Sequence, residues 1–123
     1  MILTGSFFKA LRTRKSKMTK AEALQFANKA TSKDAYPRFG FELYVEEKIV
    51  MLIDRYNNGN CIDYFKGEPL WDEAIQTYIQ EQERNIEYLI RWGDRKYGKS
   101  FDAERFFGTR NLRTNIKKAE SIR

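Results

Sequence analysis

The chain contains no histidine. That removes the side chain whose ordinary pKa lies nearest neutrality, the commonest metal ligand, and every serine or cysteine triad that runs through imidazole. Catalysis would fall to carboxylates, Lys, Tyr or a cofactor, so the sequence points away from an enzyme. Its single cysteine, Cys61, can form neither an internal disulfide nor a thiolate zinc site, and a reducing, cytoplasmic setting is expected. Two prolines and seven scattered glycines provide no linker, no Walker-type loop and no Gly-x-Gly-x-x-Gly. Zinc-finger, leucine-zipper, RNP and GXXG signatures are missing too, and no cofactor or metal is expected. No run approaches the ~18 apolar residues of a membrane span. Met1-Ile2-Leu3 is apolar, but Thr4-Gly5-Ser6 interrupts it and the basic residues follow it, the wrong order for a secretory leader.

What is present is globular in composition. Of 123 residues 41% are hydrophobic and 33% charged, with nine Phe, seven Tyr and two Trp, enough to fill one core. One domain, 1–123, is expected, with a basic N-terminal arm or short helix over about 1–18.

The periodicity predicts an α+β fold: a three-stranded antiparallel sheet over about 39–66, packed by an N-terminal helix, one long helix over about 69–92 and short C-terminal helices. Thr19-Lys20-Ala21-Glu22 is a capping box, followed at helical spacing by Ala23, Phe26, Ala27 and Ala30. From Phe39 the period changes to two, with Phe39, Phe41, Leu43 and Val45 on one side. Ile49–Tyr56 reads as a strand or as a helical face capped by Gly59. The turn Asn57-Asn58-Gly59-Asn60 favours the strand, with Cys61–Phe65 returning beside it. Pro69 opens the long helix, whose stripe begins at Trp71 and runs unbroken to Gly93. Ser100 is expected to cap a short helix holding Phe101, Phe106 and Phe107, and Thr109 to cap the last, with Leu112, Ile116 and Ala119 on one side.

The net charge of +6 hides a segregation. Residues 1–20 carry six Lys/Arg and no acid, 21–90 seven against thirteen acids, and 91–123 ten against four. Either the basic ends fold back on the acidic middle or they unite as a surface for polyanions. On the second reading Lys9, Arg12, Arg14, Lys15, Lys17, Arg110, Arg113, Lys117 and Lys118 contact phosphate, and the partner is nucleic acid or a nucleic-acid-binding complex, read with little sequence preference. Trp92, Tyr97, Phe101, Phe106 and Phe107 lie among basic residues, as in single-strand binders, although each also fits a core position.

A rival reading makes the chain a protein-interaction module, an inhibitor or adaptor of nucleic-acid machinery of the kind phages and mobile elements carry. There Glu46, Glu47, Asp54 and Asp63 would occupy a groove meant for phosphate. Asp54 and Asp63, flanking the hairpin turn, read either as a pair facing each other across the strands and binding a cation or, the preferred reading, as ordinary polar positions near a turn. A third reading takes Asp34 with Glu46-Glu47-Lys48 as the carboxylates and lysine of a Mg²⁺-dependent nuclease. Phe7, Phe8 and Leu11 beside Lys9, Arg12 and Arg14 would suit an anionic bilayer, but core packing of those rings is preferred.

Overall fold

The Thr19 hydroxyl accepts the Glu22 N–H at 3.1 Å, so the first helix starts at its capping sequence. The computed structural model describes residues 18–31, 39–99, 102, 105–106 and 108–123. Within them the order is α1 (Lys20–Thr31), β1 (Phe39–Tyr44), β2 (Ile49–Asp54), β3 (Asn60–Phe65), α2 (Trp71–Tyr97) and α3 (Thr109–Ile122). This is the expected α+β arrangement. The expected basic arm or short helix over about 1–18 lies, Met18 apart, outside the described residues. No helix among the described residues is long and apolar enough to cross a membrane.

The sheet is antiparallel in the order β1-β2-β3, so Ile49–Asp54 is a strand and not a helix. Its turn explains why. Asn58 and Gly59 take φ of 54° and 71°, the left-handed region that Asn and Gly tolerate, and the Gly59 N–H donates to the Asp54 carbonyl at 3.1 Å. Phe39, Phe41, Val50, Leu52 and Tyr64 alternate onto one face and are buried. Against them pack Ala23, Leu24 and Ala27 of α1, Trp71 to Ile79 of α2, and Ala119 and Ile122 of α3. The apolar side of α1 thus runs through Leu24. Phe26, expected in that stripe, is 45% exposed and touches the Phe39 ring edge-on at 6.0 Å.

α2 carries Asp72 and Glu73 in its first turn and Arg95 and Lys96 in its last, each sign where the helix dipole favours it. It does not stop at Gly93, which is buried inside the helix, but at Gly98, whose φ is 90° and whose N–H donates to the Asp94 carbonyl at 3.0 Å. A glycine inside a helix costs only about 1 kcal/mol relative to alanine, which the packing of α2 offsets. At 1.5 Å per residue the 27 residues span about 40 Å. The first half carries the sheet and α1; the second runs beyond them, with α3 packed back along it. Gly108, in the left-handed region at φ 69°, caps α3 in place of Thr109, which is the first helical residue and fully buried. The Asp102 carboxylate accepts the Arg105 N–H at 3.2 Å; Ser100, expected to cap a helix here, lies outside the described residues.

Tyr64 joins three elements. Its ring is fully buried and its hydroxyl donates to the Lys20 carbonyl at 2.8 Å, where the Lys20 ammonium grips Glu68 at 2.7 and 3.0 Å. Burial, with Glu68 and Glu73 nearby, raises the Tyr64 pKa well above its usual value, so the hydroxyl stays a donor. Tyr64→Phe is expected to lose about 1 kcal/mol. In urea titration this appears as a lower midpoint with an unchanged slope; an unchanged midpoint would show that the hydroxyl contributes nothing.

Candidate nucleic-acid interface

Because α3 buries Thr109, Ala119 and Ile122, the opposite side of the helix faces water. At ~100° per residue Arg110, Arg113 and Lys117 lie within about 60° of one another on that side, and all three are exposed. Lys118 does not join them. It is turned about a quarter-circle round the helix and lines a groove of ≈ 640 Å³ with Glu42, Glu46 and Glu47. Arg113 sits at the edge of the face and also lines a groove of ≈ 500 Å³ between α2 and α3, beside Glu83, Glu87 and Glu120. Lys9, Arg12, Arg14, Lys15 and Lys17 lie outside the described residues.

The second basic element was not singled out by sequence. Arg84, Tyr88, Arg91 and Arg95 follow one another at helical spacing along the second half of α2. The signal for it was available in the Arg spacing itself. Arg91 pairs with Glu87 at 2.5 Å, but both side chains are more than half exposed, so the pair holds little of its charge back from other partners. Lys96 places its ammonium 4.7 Å from the Trp92 ring centre and 5.6 Å from that of Tyr97. Trp92 meets Tyr97 edge-on at 5.9 Å, and Tyr97 meets Phe106 at 6.0 Å with the rings tilted by 49°. Phe101 and Phe107 lie outside the described residues.

From β1 onward the charge changes sign midway along α2. Residues 39–83 hold three Lys/Arg against ten Asp/Glu, and 84–123 eleven against five. Across residues 39–123 the sheet portion is acidic and the helical portion basic, with the boundary between Glu83 and Arg84.

The acidic candidates are scattered. Glu46 and Glu47 are exposed in the β1–β2 turn, where the Lys48 N–H donates to the Val45 carbonyl at 3.2 Å and Lys48 takes φ 56°. Asp54 is buried and its carboxylate accepts the Tyr56 N–H at 3.1 Å, a turn-forming role. It does not face Asp63, so the facing-pair alternative fails. The register pairs Asp54 with Asn60 and Asp63 with Met51, which puts the two carboxylates on opposite faces of the sheet. They cannot share a cation. Asp34 lies outside the described residues. Among the described residues no group of three or more His, Cys, Asp or Glu is placed to hold a metal ion, and Glu46-Glu47-Lys48 is an exposed turn.

One buried acid escaped the sequence reading altogether. Glu81 on α2 lies against the edge strand β1, where the Phe41 N–H donates to its carboxylate; Oε2 has no hydrogen-bond partner among the described residues. Only 5% of the residue is exposed. Burial pushes its pKa up to about 7, against the opposing pull of Arg55, the Phe41 N–H and Arg84. Arg55 reaches this edge because Gly40 leaves room: a Cβ there would lie 2.8 Å from the guanidinium. Burial and then Glu81 push the Tyr78 hydroxyl up to about 12, so it stays protonated.

Comparison with protein-family models, curated proteins and solved structures gives no match, so what this surface binds is argued from its own geometry alone.

Proposed function

We propose that the chain is a cytoplasmic accessory protein that binds nucleic acid, free or within a ribonucleoprotein, through Lys and Arg contacts to phosphate with little dependence on sequence. The observation that carries this is the union of Arg110, Arg113 and Lys117 on one exposed face of α3, within residues 84–123, which hold eleven Lys/Arg against five acids. Phosphate contacts of this kind supply affinity and orientation without reading bases. The acidic sheet end repels the same polyanion, so the ligand is steered to one end.

Retention on heparin and titration of a labelled oligonucleotide test the proposal. Binding is expected at low ionic strength, with log K falling linearly against log salt. Three contacts from α3 alone contribute about −2.7 to that slope on a duplex. Absence of binding at low salt overturns it.

A second reading is favoured by the groove beside Glu42, Glu46 and Glu47, whose acids suit a basic protein surface. Capture of one stoichiometric protein partner that survives nuclease treatment, and is lost in Glu46→Lys/Glu47→Lys, would favour docking there over nucleic-acid binding.

A further inference from the structure

We infer that the free edge of β1 takes up an extended, Lys- or Arg-bearing segment of another protein as a fourth strand; this rests on the groove reading above and not on phosphate binding. β1 lies at one edge of the sheet. Along an antiparallel pair, alternate residues turn their N–H and carbonyl away from the partner strand. Phe41 is such a residue, because Glu81 takes its N–H, and Leu43, two further on and opposite Val50, is the next. Glu81 thus closes the edge at Phe41, while the outward groups of Leu43 have no backbone partner among the described residues. The ≈ 640 Å³ groove runs along this open stretch, lined by Leu43 and Val45 on the strand side and by Asn115 and Lys118 of α3. Leu43 and Val45 are half-buried, which leaves apolar surface for alternate side chains of an added strand.

Charge selects the occupant. Among the described residues Glu42, Glu46 and Glu47 line the groove against one cation, Lys118. A basic segment meets complementary charge there. A second copy of this chain, pairing through the same edge, would bring the same acids, and a polyanion is repelled by them. Main-chain bonds to Leu43 then supply affinity without regard to side chains, and the acids supply the preference for Lys and Arg.

The test uses the full chain, free of nucleic acid, and a labelled, end-capped peptide of alternating Val and Lys with about six residues, the length of β1. Fluorescence anisotropy is expected to show saturable binding, weakened roughly tenfold or more when Glu replaces Lys in the peptide. Glu46→Lys/Glu47→Lys is expected to weaken the Lys peptide by a similar factor. Both positions are exposed in a turn, so the variant retains the fold, checked by circular dichroism. N-methylation of the peptide reads the backbone pairing. Methyl groups on one alternate set of nitrogens meet the β1 edge and abolish binding, whereas those on the other set point away and leave it in place. An equal effect of the two sets, or none from either, means docking by charge alone and overturns strand addition while the groove reading stands. Lys-peptide binding that survives Glu46→Lys/Glu47→Lys overturns both. Failure of the Lys peptide to bind also overturns the proposal, and a dimer in sedimentation would then assign the edge to a second copy.

Discussion

Glu81→Gln is expected to raise the thermal midpoint at pH 8 and to erase the fall in stability between pH 5 and pH 8. The wild-type carboxyl is buried against β1 with one oxygen lacking a partner among the described residues, and its pKa is about 7 in the folded chain against an ordinary 4.5. Between those values the folded protein holds a proton that the unfolded chain has released. Stability is therefore full below about pH 4.5, falls as the pH rises toward 7, and is level above it. The whole shift corresponds to about 3 kcal/mol, on the order of 10 °C in midpoint for a domain of this size. Glutamine keeps an oxygen to accept the Phe41 N–H and never carries the charge. The window is unusually clean, because a chain without histidine has no imidazole to titrate in it. Calorimetric scans of both proteins at pH 5 and pH 8 decide the matter. A wild-type midpoint that does not fall, or a variant no more stable than wild type at pH 8, would show that the buried carboxyl is already compensated.

That acid was hidden in the sequence for a physical reason. Positions 80–83 read Gln-Glu-Gln-Glu, a polar stretch on which hydropathy distinguishes no side. Glu81 is buried because its side of α2 meets the free edge of β1, a contact set by tertiary packing. The elements were legible where local chemistry decides them. The Asn-Gly turn fixed β2 as a strand, and Thr19 fixed the start of α1, since positive φ and capping bonds are made within a few residues. Register was not. A turn confined to Asn57–Asn60 would set Asp54 opposite Asp63, whereas the observed loop begins at Arg55 and pairs Asp54 with Asn60. That shift is an odd number of residues, so it reverses which face each carboxylate takes. Exposure of aromatics was equally opaque, for Trp71 and Phe106 both fit an apolar stripe, yet one is 4% exposed and the other 65%. Of the site, the grouping of Arg110, Arg113 and Lys117 followed from helical spacing. The place of Lys118 did not, because the groove that holds it is built from a strand and a turn distant in sequence.

The same division makes the α3 face separable by mutation. In the triple variant Arg110→Gln/Arg113→Gln/Lys117→Gln, three exposed cations disappear while Ala119 and Ile122, which hold the helix to the core, are untouched. Exposed substitutions of this kind change stability by only about 0.5 kcal/mol. Each charged contact to phosphate contributes roughly 1 kcal/mol or more, so affinity is expected to fall on the order of a hundredfold. The slope of log K against log salt becomes shallower by about 2 on a single strand and by about 2.7 on a duplex. Lys118→Gln serves as the internal control: the residue lines the groove with Glu42, Glu46 and Glu47, whose charges keep phosphate away, and the affinity is expected to hold. The triple variant weakens single strand and duplex together and preserves their ratio to within the difference in slope. If the triple variant binds as wild type while Lys118→Gln does not, phosphate enters the acidic groove and not the outer face of α3.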